Sequence, residues 1–473
     1  METPFERDPG SEPTRWSRAR VGACSVVVWS VWAAVTLAAI LYIRHYARNL
    51  PYWEDFHMVS VMTGHEPLSL RWATSQQAEH RPVIPKVILA TLYRAIPDFR
   101  AGLYLNAGLL STASASMILL ARRLRGWTSI TDAVLPLSVL NIGQSECLLI
   151  GFALNLILTA WISYELIVAM CRTSQSPGWW PSLLVGGLLV MLPLSGGSGM
   201  AMLPPLMLWL AGYLACGWWS GRVPGAWGRA LGLGLLLTTL VVVAFYLKGY
   251  ERPTHVPATP SAWAACSTTL DFLSLVIRPV EGGWGRLFGV VVALLAAITL
   301  IRLVIVARRS PAERPRAFGL IAVLLSLLGV AVAVGVSRSG FGPGAAVSSR
   351  YISISAPLLS VFYIGWLLYG PNPARRAIHI GLLALVCAGI PANARSALRM
   401  GEDRRDLYIH VERSLRAGLP ASLLMEQVTP GLYPNPGYAY ERFKMLKAAR
   451  VGMFRYFVDD KFSGGADARA AVH

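Results

Sequence analysis

Eleven apolar stretches run through the chain, near residues 21–43, 101–120, 129–143, 145–170, 181–195, 198–217, 230–247, 286–307, 317–336, 351–369 and 377–392. A helix needs roughly 20 apolar residues to cross the hydrocarbon core of a bilayer, fewer where neighbours compensate. The predicted fold class is therefore an all-α polytopic membrane protein with about 11 transmembrane helices. Composition agrees: 54% of residues are hydrophobic and 14% charged, where a soluble chain carries about 25% charged residues. The same figures exclude a disordered, collagen-like or small disulfide-stapled chain. The third and fifth runs are short, and each meets its successor at a tight polar turn, Gly143–Glu146 and Ser195–Gly199. The run at 21–43 is too long for a signal-peptide core and reads as an uncleaved anchor.

If every run crosses, the basic residues of the short connections collect on one side: Arg122, Arg123 and Arg125, then Arg172, Arg229, Arg308, Arg309, Arg314, Arg316, Arg375 and Arg376. The turns at 143–146 and 195–199 carry none. An excess of arginine and lysine marks the cytoplasmic face. The predicted organisation is a cytoplasmic N-terminal tail (1–20), a transmembrane domain (21–392) and an extracytoplasmic C-terminal helical segment (393–473), multi-pass in the cell (inner) membrane. Polar mass then gathers outside, in the first outer loop (44–100), the loop 248–285 and the tail. Within that tail, residues 403–417 read as a helix stopped by Gly418, 429–437 as a loop and 440–450 as a basic helix. Together they read as an amphipathic cap on the membrane surface, or as an acceptor-recognition surface.

No cytoplasmic connection is large enough for a nucleotide-binding fold, and no GxGxxG or P-loop stands in strand–helix context. An activated substrate is expected to arrive through the membrane instead. The net charge of +18 then points to membrane lipids and anionic headgroups as partners, not to nucleic acid. Six cysteines with no CxxC pair argue against a disulfide framework or thiolate metal site.

The first outer loop concentrates chemistry. It carries Tyr52-Trp53-Glu54-Asp55-Phe56-His57 and, later, Glu79-His80-Arg81-Pro82 ahead of an apolar run from Val83 to Ile96. Pro82 suits a first helical turn, holding the preceding triplet at a helix N-terminus. Adjacent carboxylates on a loop point in different directions, so one of Glu54 and Asp55 is expected to face a substrate. Such a carboxylate takes a proton from an attacking hydroxyl. Arg81 and Lys86 are candidates to neutralise a phosphate, arginine through a forked contact. Glu79, His80 and Trp53 are candidate substrate contacts, as is Glu146 in the turn before the fourth run. Arg350, with Arg338 in the preceding loop, is a third candidate for a phosphate at the outer end of the tenth run. One carboxylate beside a basic patch fits group transfer from a phosphate better than glycoside hydrolysis, which needs two spaced carboxyl groups. Asp55, His57, His65, Glu79 and His80 match no recognised metal-ligand spacing, so no metal residues are assigned, although a divalent cation stays open.

The order of features resembles the GT-C superfamily of integral-membrane glycosyltransferases. Trp53-Glu54-Asp55 occupies the place of that family's acidic motif in the first loop. Glu79-His80-Arg81-Pro82 and the turn Asn141–Glu146 with Gly151-Phe152 are similar to patterns in bacterial members. The resemblance implies a polyprenyl-phosphate-linked sugar as donor, an inverting displacement, Asp55 or Glu54 as base, and a lipid, glycan or protein acceptor. A transporter or flippase of lipid-linked saccharides, and a non-catalytic assembly subunit of an envelope polysaccharide system, are the alternatives. A flippase is expected to place its ionisable residues near mid-membrane in repeated halves; here they lie toward the ends of the runs.

Overall fold

The computed structural model describes residues 15–172, 179–215, 225–254, 256–277 and 283–460. The N-terminal tail before residue 15 and the last part of the C-terminal segment, from 461, lie outside the described residues. Among those described, nine helices are long and apolar enough to cross a membrane, from Gly22–Tyr46 to Asn372–Arg416, and two shorter apolar helices, Ile130–Val139 and Trp180–Ser195, stand at the third and fifth predicted runs. The protein is an all-α polytopic membrane protein.

The stretch covering the third run and the start of the fourth is not one helix. After the helix Arg100–Arg125 comes a short 3-10 turn over Ile130–Ala133, then the helices Val134–Val139 and Ser145–Leu149. Contacts at its two ends nevertheless reach opposite ends of the bundle. At one end Arg125 pairs with Asp132, and both bond the Tyr363 hydroxyl, at 3.0 and 2.5 Å. At the other the Asn106 amide donates to the carbonyls of Cys147 and Ile150, each at 3.1 Å. A broken crossing of this kind is tolerated where the freed backbone groups are buried in protein.

The 248–285 segment departs from a plain outer loop. Ser261 caps a helix, Ala262–Ser274, by accepting a bond from the Ala264 amide at 3.1 Å. That helix is wedged between the spans Trp284–Arg309 and Pro311–Phe341. Gly289 lies against the Leu270 carbonyl and Gly335 against Thr269 and the Ala265 carbonyl, leaving no space for a Cβ at either position. Part of the predicted polar loop is thus bundle interior.

The last apolar run does not end at a boundary. One helix, Asn372–Arg416, continues through Pro391 for 45 residues, about 67 Å at 1.5 Å per residue. It stops where the sequence predicts, with Gly418 left-handed at φ +68°. Beyond it, the helices Ala421–Leu432 and Pro436–Ala448 and the 3-10 turn Gly452–Tyr456 fold over the first loop. Phe56 stacks on Phe443 at 6.1 Å, and His57 lies between the hydroxyls of Tyr433 (3.3 Å) and Tyr438 (2.9 Å). The apolar side of this cap is therefore covered by protein: Phe443, Phe454 and Phe457 are each at most 1% exposed. The predicted loop at 429–437 is shorter than its proline and glycine content suggests, because the helix runs on to Leu432. Leu432 is buried, and Gly431 packs against Leu407 on the long helix; tertiary packing here overrides the local breakers.

Candidate functional site

The polar residues of interest gather at the end of the bundle that carries the first loop. Trp53 opens a 3-10 turn, Trp53–Met58, with φ +49°, a conformation costly for a bulky residue. This turn separates the two adjacent acids. Asp55 points inward: it is 3% exposed and accepts from the backbone amides of Phe152 (2.8 Å) and Gly151 (3.2 Å). Those amides begin the span Gly151–Arg172, so the carboxylate caps a helix start, as a negative group should. A Cβ at Gly151 would run into Asp55 and the Tyr93 hydroxyl. Burial raises the Asp55 carboxyl to about 7, outweighing the two amide bonds that lower it. Glu54 stays half-buried, and its charge reaches Arg350, Tyr52 and Tyr433. Trp53 is 39% exposed at the rim.

Glu146 organises the opposite wall. One of its oxygens accepts from Ser348 Oγ (2.5 Å), Ser349 Oγ (2.8 Å) and the Arg350 amide (3.0 Å). These bonds, with the charge of Arg350, hold its carboxyl below the ordinary value against the opposing effect of burial. The loop ahead of the tenth span is thereby tied to the turn at 143–146. The Arg350 guanidinium itself has no hydrogen-bond acceptor among the described residues, and its Nε is buried without a partner. Glu146 and Glu54 are the carboxylates whose charge it feels.

His80 lies where a Cβ on Gly197 would meet its ring, against the turn at 195–199. Its Nδ1 is buried and unpartnered, and burial lowers its pKa. Glu79 makes a two-point ion pair with Arg338, at 3.0 and 2.8 Å. Two of the predicted phosphate ligands are engaged elsewhere. Arg81 donates to the carbonyls of Phe245 (3.2 Å), Lys248 (2.8 Å) and Gly249 (2.8 Å), closing the end of the helix Ala226–Leu247. The Lys86 ammonium, 3% exposed, donates to the carbonyls of Trp72 and Ser75 and to Ser75 Oγ, and sits 4.7 Å over the Trp72 ring. Burial lowers Lys86 to about 8. Both cations pin the first loop in place.

The residues considered together as metal ligands are directed to different partners: Asp55 to backbone amides, His57 to two tyrosines, His65 to Thr63 and Glu79 to Arg338. Among the described residues no three His, Cys, Asp or Glu side chains form a group.

One residue of this end was not foreseen. Arg404, on the long helix, is 8% exposed and lies over the Tyr52 ring, 3.1 Å from its centre. The signal was present: Ala397, Gly401, Arg404, Tyr408, Val411 and Leu415 form the buried stripe of this helix, and an arginine there breaks the apolar pattern.

No protein-family model matches the chain, and no curated protein matches it. Among solved structures it matches the crystal structure of ArnT from Cupriavidus metallidurans bound to undecaprenyl phosphate, at 18% sequence identity, with 90% of this chain and 78% of that chain covered and a TM-score of 0.42.

Proposed function

We propose that this protein is a glycosyltransferase of the GT-C type, moving a sugar with inversion from a polyprenyl-phosphate donor to a lipid, glycan or protein acceptor on the outer face of the inner membrane. In this reading the N-terminus is cytoplasmic and the C-terminal cap extracytoplasmic. The observation that supports it is a half-buried carboxylate, Glu54, at the same end of the bundle as an arginine, Arg350, whose Nε is buried without a partner among the described residues. Glu54 takes the proton of the acceptor hydroxyl, and that oxygen attacks the anomeric carbon. The bond from that carbon to the phosphate oxygen breaks, and the phosphate leaves with its electron pair. Arg350 neutralises the charge that develops. Glu146 positions Arg350 by holding its backbone amide, and Asp55 positions Glu54 by fixing the turn to Gly151 and Phe152. Trp53, Glu79 and His80 line the approach. Arg81 and Lys86 serve by holding the loop.

Glu54→Gln is expected to lower transfer from undecaprenyl-phosphate sugar about 10²–10⁴-fold, with donor binding and thermal midpoint unchanged. A loss confined to Asp55→Asn moves the base by one residue. Full activity in both variants, or passage of labelled lipid across liposomes with no new glycosidic bond, overturns the proposal.

A further inference from the structure

We infer that Arg404 forms a phosphate-binding site at the junction of the long helix and the first loop, taking the phosphate of a membrane lipid. Its guanidinium is nine-tenths buried, and Nη1 has no acceptor. No carboxylate lies within ion-pair distance of it among the described residues. A buried charge is ordinarily paired, because desolvation is otherwise uncompensated. The groups that face Arg404 are tyrosines: Tyr52 over it at 3.1 Å, Tyr408 at 5.9 Å, and Tyr42, whose hydroxyl donates to the Ala397 carbonyl about two helical turns deeper. Glu54 makes no ion pair with it, and the other two nearby acids have other engagements. Asp55 holds two backbone amides, and Glu146 holds the 348–350 loop.

Arg404 lies over the Tyr52 ring, and its Nη1 is the donor left for an oxyanion, with which a guanidinium forms a charge-assisted contact. Tyr52 precedes Trp53 and Glu54, so the anion would sit beside the proposed base. Arg350 lies at the same end of the bundle, its backbone amide held by Glu146. The two arginines together supply the cations that Arg81 and Lys86 were expected to supply. The inference rests on the transferase reading for the identity of the phosphate as the donor's; the anion site itself does not.

The test uses the full chain in nanodiscs with three probes: undecaprenyl phosphate, undecaprenol and inorganic phosphate. The wild type is expected to bind the lipid phosphate at least tenfold more tightly than the alcohol. Arg404→Leu, which keeps the apolar contact with Tyr52, is expected to bring the two lipids to near parity with no fall in thermal midpoint. Arg404→Lys keeps the charge but loses the fork, and should retain part of the preference. Competition by inorganic phosphate that depends on Arg404 shows that the phosphate is read without its lipid; its absence with lipid discrimination intact assigns the site to the lipid phosphate. Arg404-dependent binding without sugar transfer leaves this inference standing while the transferase reading falls. Unchanged discrimination in Arg404→Leu, or equal loss of both lipids together with a lower midpoint in both variants, overturns it and leaves Arg404 a packing residue.

Discussion

The two ends of the bundle treat buried charge in opposite ways. At the arginine-rich end Asp132, fully buried, takes two bonds from Arg125 (2.9 and 2.8 Å), one from Tyr363 (2.5 Å) and one from the Ser129 amide (2.7 Å). His379 stacks on Tyr363 at 3.9 Å and bonds its carbonyl. Tyr369 donates to Glu313, which also pairs with Arg316. Four segments are locked together. At the first-loop end Arg350, Arg404 and His80 each keep a buried nitrogen without a partner. A saturated network specifies a fixed arrangement, whereas open buried donors carry a cost that a ligand or water relieves. The contrast is that between charge wholly taken up by the fold and an end where, beside the structural pairs, the proposed binding is placed on the unpartnered nitrogens.

The largest effect expected from breaking that contrast is at Asp132. Asp132→Ala leaves Arg125 buried without its anion, and losing one partner of a buried pair costs about 3–5 kcal/mol. Unfolding in detergent or denaturant should show this loss, while affinity for undecaprenyl phosphate in the surviving folded protein stays at the wild-type level. A drop in affinity without a drop in stability would reverse the assignment of the two ends.

Arg81→Ala is expected to cost about 1–2 kcal/mol, since it removes hydrogen bonds from a charged group that solvent partly reaches. Its signature is looser protection of the segment 245–250 in hydrogen exchange, with lipid-phosphate binding retained. If binding falls as steeply as in an Arg350 variant, Arg81 belongs to the site after all.

The sharpest test is pH, where two opposing contributions partly cancel in the wild type. Asp55 holds its proton more tightly folded, at about 7 against an ordinary 3.8, so its contribution to stability is full below 3.8 and is lost as pH rises through 7. His57, with burial the main cause, is lowered from 6.5 to about 3; its contribution is full above 6.5 and is lost as pH falls toward 3. The two slopes oppose each other between about pH 4 and 6.5. Asp55→Asn should remove the loss on the alkaline side and His57→Phe the loss on the acidic side, as read from unfolding across pH 4–8. Identical profiles for wild type and Asp55→Asn would show that Asp55 is not held as described.

The apolar runs announced the spans because burial in lipid demands length and hydrophobicity, both local properties. The stop at Gly418 was legible for the same reason. What could not be read was direction. Nothing local says that Asp55 turns inward to Gly151, since that depends on a left-handed Trp53 and on a partner 96 residues away. Arg81 was expected beside a phosphate; carbonyls at the end of another helix, up to 168 residues distant, satisfy the same donors. The wedge Ala262–Ser274 needed Gly289 and Gly335 on two separate spans. Arg404 was hidden in a helix read as a surface element.

The continuity of Asn372–Arg416 has a mechanical consequence. Its weak point is Pro391, which removes a backbone hydrogen bond near the end of the apolar run; beyond it the helix is an unbroken rod to Arg416. Any tilt of the rod moves Arg404 and the cap as one piece, and Tyr42, bonded to Ala397, ties that motion to the first span.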